Sequence, residues 1–159
     1  MSNTYSQIYI HLVFSTKYRA PSLKQDFEHQ LQSYIRDHAE DQELKILAIG
    51  GTQTHLHILL TMPPKFPVSK AAQIIKGSSS RWLNKYHFDK EKFRWQKGYG
   101  AFSINKSLLP TTINYIKRQK EHHSEITYKD EFAAFLDKHE IDYDNRKLFP
   151  SPPEDEAPG

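Results

Sequence analysis

At 159 residues the chain is long enough for one domain with a proper core, and its lack of cysteine excludes a disulfide framework, thiolate metal sites and a thiol nucleophile. No apolar run approaches the roughly 18 residues of a membrane span, and residues 1–5 lack a signal peptide's basic start and apolar middle, so a cytoplasmic protein is expected. The net charge is +3, but the last nine residues hold three carboxylates and no Lys or Arg, so residues 1–150 carry +6. With 9 Tyr, 9 Phe and 2 Trp, such a basic body suits nucleic acid, cations meeting phosphates and rings stacking on bases, although an ordinary soluble surface has the same composition.

Residues 6–15 alternate Ile8, Ile10, Leu12 and Phe14 with Gln7, Tyr9, His11 and Val13, the period of a strand. A basic, aromatic turn follows at Lys17, Tyr18 and Arg19. Phe27, Leu31, Tyr34 and Ile35 then recur at helical spacing within 22–39, with Ser22 as candidate N-cap. Residues 44–49 read as a second strand, 50–53 as a short turn, and 54–61 as a third strand close enough to pair antiparallel with it. After the Pro-rich 62–67, helical spacing resumes over 69–86 through Ala72, Ile75, Ser79 and Leu83. Lys76 and Arg81 lie along this helix, and Arg94 and Lys97 lie in a basic aromatic loop, beside Trp82 and Trp95. Residues 99–104 make a fourth strand. The order βαββαβ with both helices on one face describes an α+β, ferredoxin-like (RRM-like) antiparallel sheet whose other face is open to a site or a nucleic acid. A further helix runs from Pro110 through about His123, and Phe132, Phe135 and Leu136 suggest a short amphipathic one. One domain over 1–149 and a disordered acidic, Pro-rich tail over 150–159 are expected.

The third strand carries the chemistry. His55 and His57 share one face with Leu59 and Thr61, while Leu56, Ile58 and Leu60 share the other, so an apolar face enters the core and two imidazoles stand side by side, close enough to reach one metal ion. A bare His-x-His is equally what a half-exposed strand displays with no chemistry attached. In the helix after the fourth strand, Tyr115, Gln119 and His122 fall within roughly 60° of one another on a helical wheel, whereas Ile113 and Ile116 point away. If the isoleucines pack on the body, Gln119 could offer a carbonyl oxygen to the metal and Tyr115 could project beside it.

His55-Leu56-His57 matches a His-hydrophobic-His (HUH) motif, and Tyr115 with Gln119 matches Tyr-x-x-x-Gln. With the stretches 11–19, 76–82, 95–103 and 114–123 in the same order, the chain resembles the insertion-sequence-200/605-like single-tyrosine HUH transposases, which have REP-associated tyrosine transposases as relatives. The resemblance implies metal-dependent cleavage and strand transfer of single-stranded DNA at hairpin-bearing element ends. Tyr115 would be the nucleophile, giving a 5′-phosphotyrosine, and His55, His57 and Gln119 would bind Mg²⁺ or Mn²⁺. It further implies a homodimer with sites completed in trans, and DNA contacts from Lys17, Arg19, Lys76, Arg81, Arg94 and Lys97. Thr54 stands where the family often has an acidic residue. A non-catalytic, domesticated binder of single-stranded or hairpin nucleic acid is the alternative, and a hydrolase using water in place of tyrosine is another.

Overall fold

The computed structural model describes residues 3–153. It follows the order β1 (Tyr9–Ser15), α1 (Glu28–Asp41), β2 (Lys45–Gly51), β3 (His55–Thr61), α2 (Val68–Tyr86) and β4 (Gly100–Ser103). The strands form one antiparallel sheet in the order β2-β3-β1-β4, so β3 is interior and His57 lies opposite Val13 on one side and Gly50 on the other. This is the ferredoxin-like arrangement that the periodicity predicts.

One face of the sheet packs on α1 and α2. Leu12 and Phe14 of β1 and Leu56, Ile58 and Leu60 of β3 bury against Leu31, Ile35, Ile75 and Leu83, each buried side chain of this size contributing about 1.5–3 kcal/mol of transfer free energy. The small residues of α2 have a packing reason: Ser78 and Ser79 are buried, their hydroxyls donating to the Ile75 carbonyl.

The other face is not open. Past β4 the chain forms α3 (Leu109–Lys117), α4 (Gln119–His122), α5 (Tyr128–Lys138) and α6 (Asn145–Leu148), and the first three cover the histidine face. The physical reason is that this face is mixed: Val13, Ala48, Leu59 and Phe102 lie on it beside the histidines, and exposing them would leave apolar surface in water. Ile116 covers Ala48 and Leu59, and Tyr128, Phe132 and Leu136 cover Val13 and Phe102. Two glycines permit the approach. A Cβ on Gly50 would sit 2.0 Å from the Ile116 carbonyl oxygen, and one on Gly100 would sit 2.5 Å from the Phe132 ring.

Several local expectations change. Helix α1 begins at Glu28 rather than Ser22, whose hydroxyl instead donates to the Ala20 carbonyl, while a 3-10 turn at Gln25–Phe27 leads into the helix. Gly50 and Gly51 belong to β2, and the turn falls at 52–54. The helix expected over 110–123 breaks at Arg118, whose φ of −102° and ψ of 22° end α3 and start α4. In the expected disordered tail, the Pro150 carbonyl accepts from the Arg19 guanidinium at 3.5 Å, and residues 154–159 lie outside the described residues. No described helix is long and apolar enough to cross a membrane.

Candidate active site and metal centre

The rigid interior strand β3 holds His55 and His57, both fully buried, and α5 lowers Glu131 onto them. Helix α5 starts where Thr127 Oγ1 accepts from the Asp130 amide, and its apolar stripe of Tyr128, Phe132 and Leu136 docks on the sheet. Glu131 shares that stripe and is 2 % exposed. Three imidazole Nε2 atoms converge on its Oε1: His57 at 2.8 Å, His123 at 3.0 Å and His55 at 3.5 Å. The Tyr115 hydroxyl donates to Glu131 Oε2, and His122 Nε2 lies 3.4 Å from that oxygen. Gln119, buried at the start of α4, places Oε1 3.1 Å from His55 Nε2. From β1, on the same sheet face, buried His11 brings Nε2 2.8 Å from His57 Nδ1.

Burial alone would raise the Glu131 carboxyl, but the imidazoles of His123 and His57 and the Tyr115 phenol outweigh it and hold the group well below the usual carboxylate range. Glu131 is therefore ionised at neutral pH and accepts only. Burial, then the neighbouring His57 and His123, lowers His55 to about 3. Burial and His57 likewise lower His11 to about 3. Burial also lowers His57, outweighing the attraction of Glu131. Tyr115 is pushed up by burial and by Glu131, so it rests as a protonated phenol. Neutral His57 must then carry its proton on Nε2, donate to Glu131, and accept at Nδ1 from His11.

His55, His57, His123 and Glu131 each offer a ligand atom, all within 4.8 Å of one another. Among the described residues His123 Nε2 is buried without a hydrogen-bond partner, although it lies 3.0 Å from Glu131 Oε1. Leaving such a nitrogen unsatisfied costs on the order of 1–3 kcal/mol, and a cation receiving its lone pair would remove that cost. Three imidazoles, a carboxylate and the Gln119 carbonyl oxygen make a donor set that fits a divalent cation. Thr54, where the family often has a carboxylate, instead places Oγ1 3.0 Å from His55 Nδ1, as Thr52 does, and Glu131 supplies the negative charge from another element.

The structure brings together Tyr115, His55, His57 and Gln119. It adds Glu131, His123 and His11, which sequence reasoning assigned no role. Glu131 had a signal: it is a carboxylate on the same helical face as Tyr128, Phe132, Phe135 and Leu136, hence buried, and a buried carboxylate needs partners. Within the chain, Tyr115 reaches Glu131 of α5 and Gln119 reaches His55 of β3.

The basic residues divide into groups. The turn at Lys17–Arg19, with left-handed backbone at Tyr18 and Arg19, follows Ser15, which pairs with His55. It is tied to the 94–98 loop by Lys17 N to Arg94 O at 3.0 Å and Tyr18 N to Gln96 Oε1 at 2.9 Å. Lys17, Arg19, Arg94 and Lys97 thus flank the histidine strand. Lys76 braces this loop, donating to the Gln96 and Gly98 carbonyls at 2.9 and 2.7 Å, and burial lowers it to about 8. Trp95 is anchored by its indole N–H to Ser79 Oγ and packs edge-on against Phe14. Arg81 stands apart, lining a surface hollow with Tyr34, Trp82 and Tyr86. A different open hollow of about 500 Å³ reaches Tyr115, between Asn114, Arg118 and His122.

A family profile described as "Transposase IS200 like" matches residues 4–119, well over half of the chain and ending before His123 and Glu131. The transposase of insertion element IS200 of Salmonella typhimurium is 33 % identical over 116 residues, covering 70 % of this chain and 76 % of that protein. The ISDra2 transposase TnpA of Deinococcus radiodurans is 25 % identical over 120 residues, covering 72 % and 86 %. Among solved structures, a Deinococcus radiodurans protein described as a transposase superposes with a TM-score of 0.61 at 22 % identity, covering 75 % of this chain and 95 % of that one. A REP-associated tyrosine transposase bound to a REP hairpin gives 0.59 at 17 % identity, covering 86 % of each.

Proposed function

The chain belongs to the IS200-like transposase family, and on that premise we propose that it cuts and rejoins single-stranded DNA at hairpin-bearing ends through a covalent bond to Tyr115. The observation that carries this reading is the convergence of the Tyr115 hydroxyl and three imidazoles on one buried carboxylate, Glu131, at the edge of a hollow open to solvent. Binding alone requires no such set.

Tyr115 Oη attacks the scissile phosphorus, and its proton leaves along the hydrogen bond to Glu131. The bond from phosphorus to the 3′ oxygen breaks as the tyrosine–phosphorus bond forms, and that oxygen takes a proton from water to leave as a 3′-hydroxyl. The 5′-phosphotyrosine conserves the phosphodiester energy, so another 3′-hydroxyl can rejoin the strand without ATP. His55, His57 and Gln119, with His123 and Glu131, would hold Mg²⁺ or Mn²⁺, which when bound withdraws charge from the scissile phosphate. Lys17, Arg19, Arg94 and Lys97 bind the strand entering beside β3, Lys76 acts by bracing their loop, and Arg81 meets DNA on the outer face of α2. The hairpin preference draws on the hairpin held by the structural neighbour. The resemblance also supports a homodimer with sites completed in trans, the helix carrying Tyr115 then making these contacts to the other copy of the chain. The reaction takes place in the cytoplasm.

The test is incubation with labelled single-stranded hairpin DNA and Mn²⁺ or Mg²⁺. The parent acquires a DNA adduct that survives denaturation and is lost on protease digestion, and Tyr115→Phe gives neither adduct nor cleavage. Cleavage without adduct would make water the nucleophile. Binding without cleavage across several hairpins would make the protein a non-catalytic binder.

A further inference from the structure

His11 takes no part in the mechanism above, yet it is 2 % exposed and its Nε2 lies 2.8 Å from His57 Nδ1. It sits opposite Leu59 in the β1–β3 register, beside β4, walled by the rings of Phe102, Phe135 and Tyr115. An apolar residue would fill this place at lower desolvation cost, so the imidazole needs a reason.

The reason lies in two incompatible demands on His57. Facing the ionised Glu131 with no cation present, it carries its proton on Nε2 and needs a donor behind it at Nδ1. As a metal ligand through Nε2, it carries the proton on Nδ1 and needs an acceptor there. A backbone carbonyl or carboxylate behind the ring would serve only the second state. An imidazole serves both, because it donates from Nε2 in one tautomer and accepts at Nε2 in the other. His55 is built on the same principle with different parts, its Nδ1 facing the hydroxyls of Thr52 and Thr54 at 3.0 Å, which rotate to donate or accept.

We propose that His11 is a positioning residue that lets His57 exchange tautomers, keeping its Nδ1 hydrogen-bonded both without and with a divalent cation. The exchange conserves protons: His57 releases its Nε2 proton to solvent as the cation takes that nitrogen and receives one on Nδ1 from His11 Nε2, while His11 takes one from solvent on its own Nδ1. This rests on the metal-site reading above.

The experiment compares the parent, His11→Phe and His11→Gln. Phe keeps a ring among Phe102, Phe135 and Tyr115 but offers no hydrogen bond, whereas Gln brings an amide of similar reach that can donate or accept. Mn²⁺ binding by calorimetry should weaken about 10–100-fold in His11→Phe, the usual effect of losing a hydrogen-bond partner behind a metal-bound histidine, and recover to within several-fold in His11→Gln. Long-range ¹H–¹⁵N spectra of the histidine rings, with Zn²⁺ as diamagnetic probe, should show the parent's His57 proton on Nε2 before loading and on Nδ1 after it. Thermal melts of all three proteins should show that each variant is folded. If His11→Phe is folded and binds Mn²⁺ as the parent does, or if the His57 tautomer is the same before and after loading, the inference is overturned while the metal site stands. A parent that binds no divalent cation overturns the metal reading and this inference with it.

Discussion

The phenol of Tyr115, on α3, donates a hydrogen bond to the carboxylate of Glu131, on α5, sixteen residues further along the chain. The bond joins the residue that resembles a family nucleophile to one outside the segment that the family profile covers. Because burial and the carboxylate push the phenol upward, Tyr115 cannot act as a resting anion and must lose its proton as it attacks. Glu131→Gln keeps the size and removes the charge. Cleavage of hairpin DNA should fall about 10²–10⁴-fold, the range for losing a positioned proton acceptor, and Mn²⁺ binding should weaken with it. Both are read from a denaturing gel and a calorimetric titration on one preparation. Undiminished cleavage by the Gln variant would remove Glu131 from the reaction.

Acid should unfold this protein through its buried histidines. His11 and His55 titrate at about 3 when folded, against 6.5 for an unperturbed imidazole. Between those values the unfolded chain binds protons that the folded chain refuses, so stability rises with pH across the window and is lost as pH falls from about 6.5 toward 3. Each histidine contributes a slope of roughly 1.4 kcal/mol per pH unit at most. Glu131, held below its usual range, adds a loss that begins as pH falls below about 4.5, the ordinary value of a glutamate. Urea unfolding between pH 7 and pH 4 should show the midpoint dropping steadily, and His11→Gln should flatten the dependence by about one proton. An unchanged slope in that variant would mean that His11 is not refused its proton in the native state.

The sheet was legible because its strands alternate cleanly and the two histidines fall on the face opposite Leu56, Ile58 and Leu60. The helix carrying Tyr115 was legible on the same grounds, with Ile116 buried as its wheel position requires. What covers the histidine face was harder to see. Periodicity tells which residues of α5 are apolar but not which sheet face they seek, and Glu131 joins His57 only through contacts 74 residues apart. The break at Arg118 was hidden for another reason: no Gly or Pro marks it, and the pull of Gln119 toward His55 is tertiary. His11 was visible as a strand position, but its pairing with His57 depends on the β1–β3 register, which alternation alone does not set.

Gly50 controls how closely the Tyr115 helix approaches the sheet. It lies opposite His57 in the β2–β3 register, and a methyl group there would fall 2.0 Å from the Ile116 carbonyl, so α3 must shift to admit it. Gly50→Ala should destabilise the fold by about 1–3 kcal/mol, as overpacking does. Since Ile116 adjoins Tyr115, the shift should also lower adduct formation more than it lowers DNA binding. Denaturant unfolding gives the first quantity, and adduct yield against hairpin affinity gives the second. A variant as stable as the parent would show that α3 stands further from β2 than described.

Salt dependence separates cations that touch DNA from those that hold the protein together. Arg94 and Lys97 are exposed on the loop that is tied to the Lys17–Arg19 turn, beside the strand end carrying His55. If each neutralises one phosphate of a single strand, replacing it with Ala should lower the slope of log affinity against log salt by about 0.7. Lys76→Ala should behave differently, because its ammonium is spent on the Gln96 and Gly98 carbonyls. It should weaken binding by loosening the loop while leaving the slope closer to the parent's. Arg81→Ala, on the outer face of α2, should reduce the slope only for hairpins long enough to reach past the site. Fluorescence anisotropy of one labelled hairpin from about 50 to 200 mM salt resolves these cases. An Arg94→Ala, Lys97→Ala protein that keeps the parent slope would return both residues to the ordinary solvated surface.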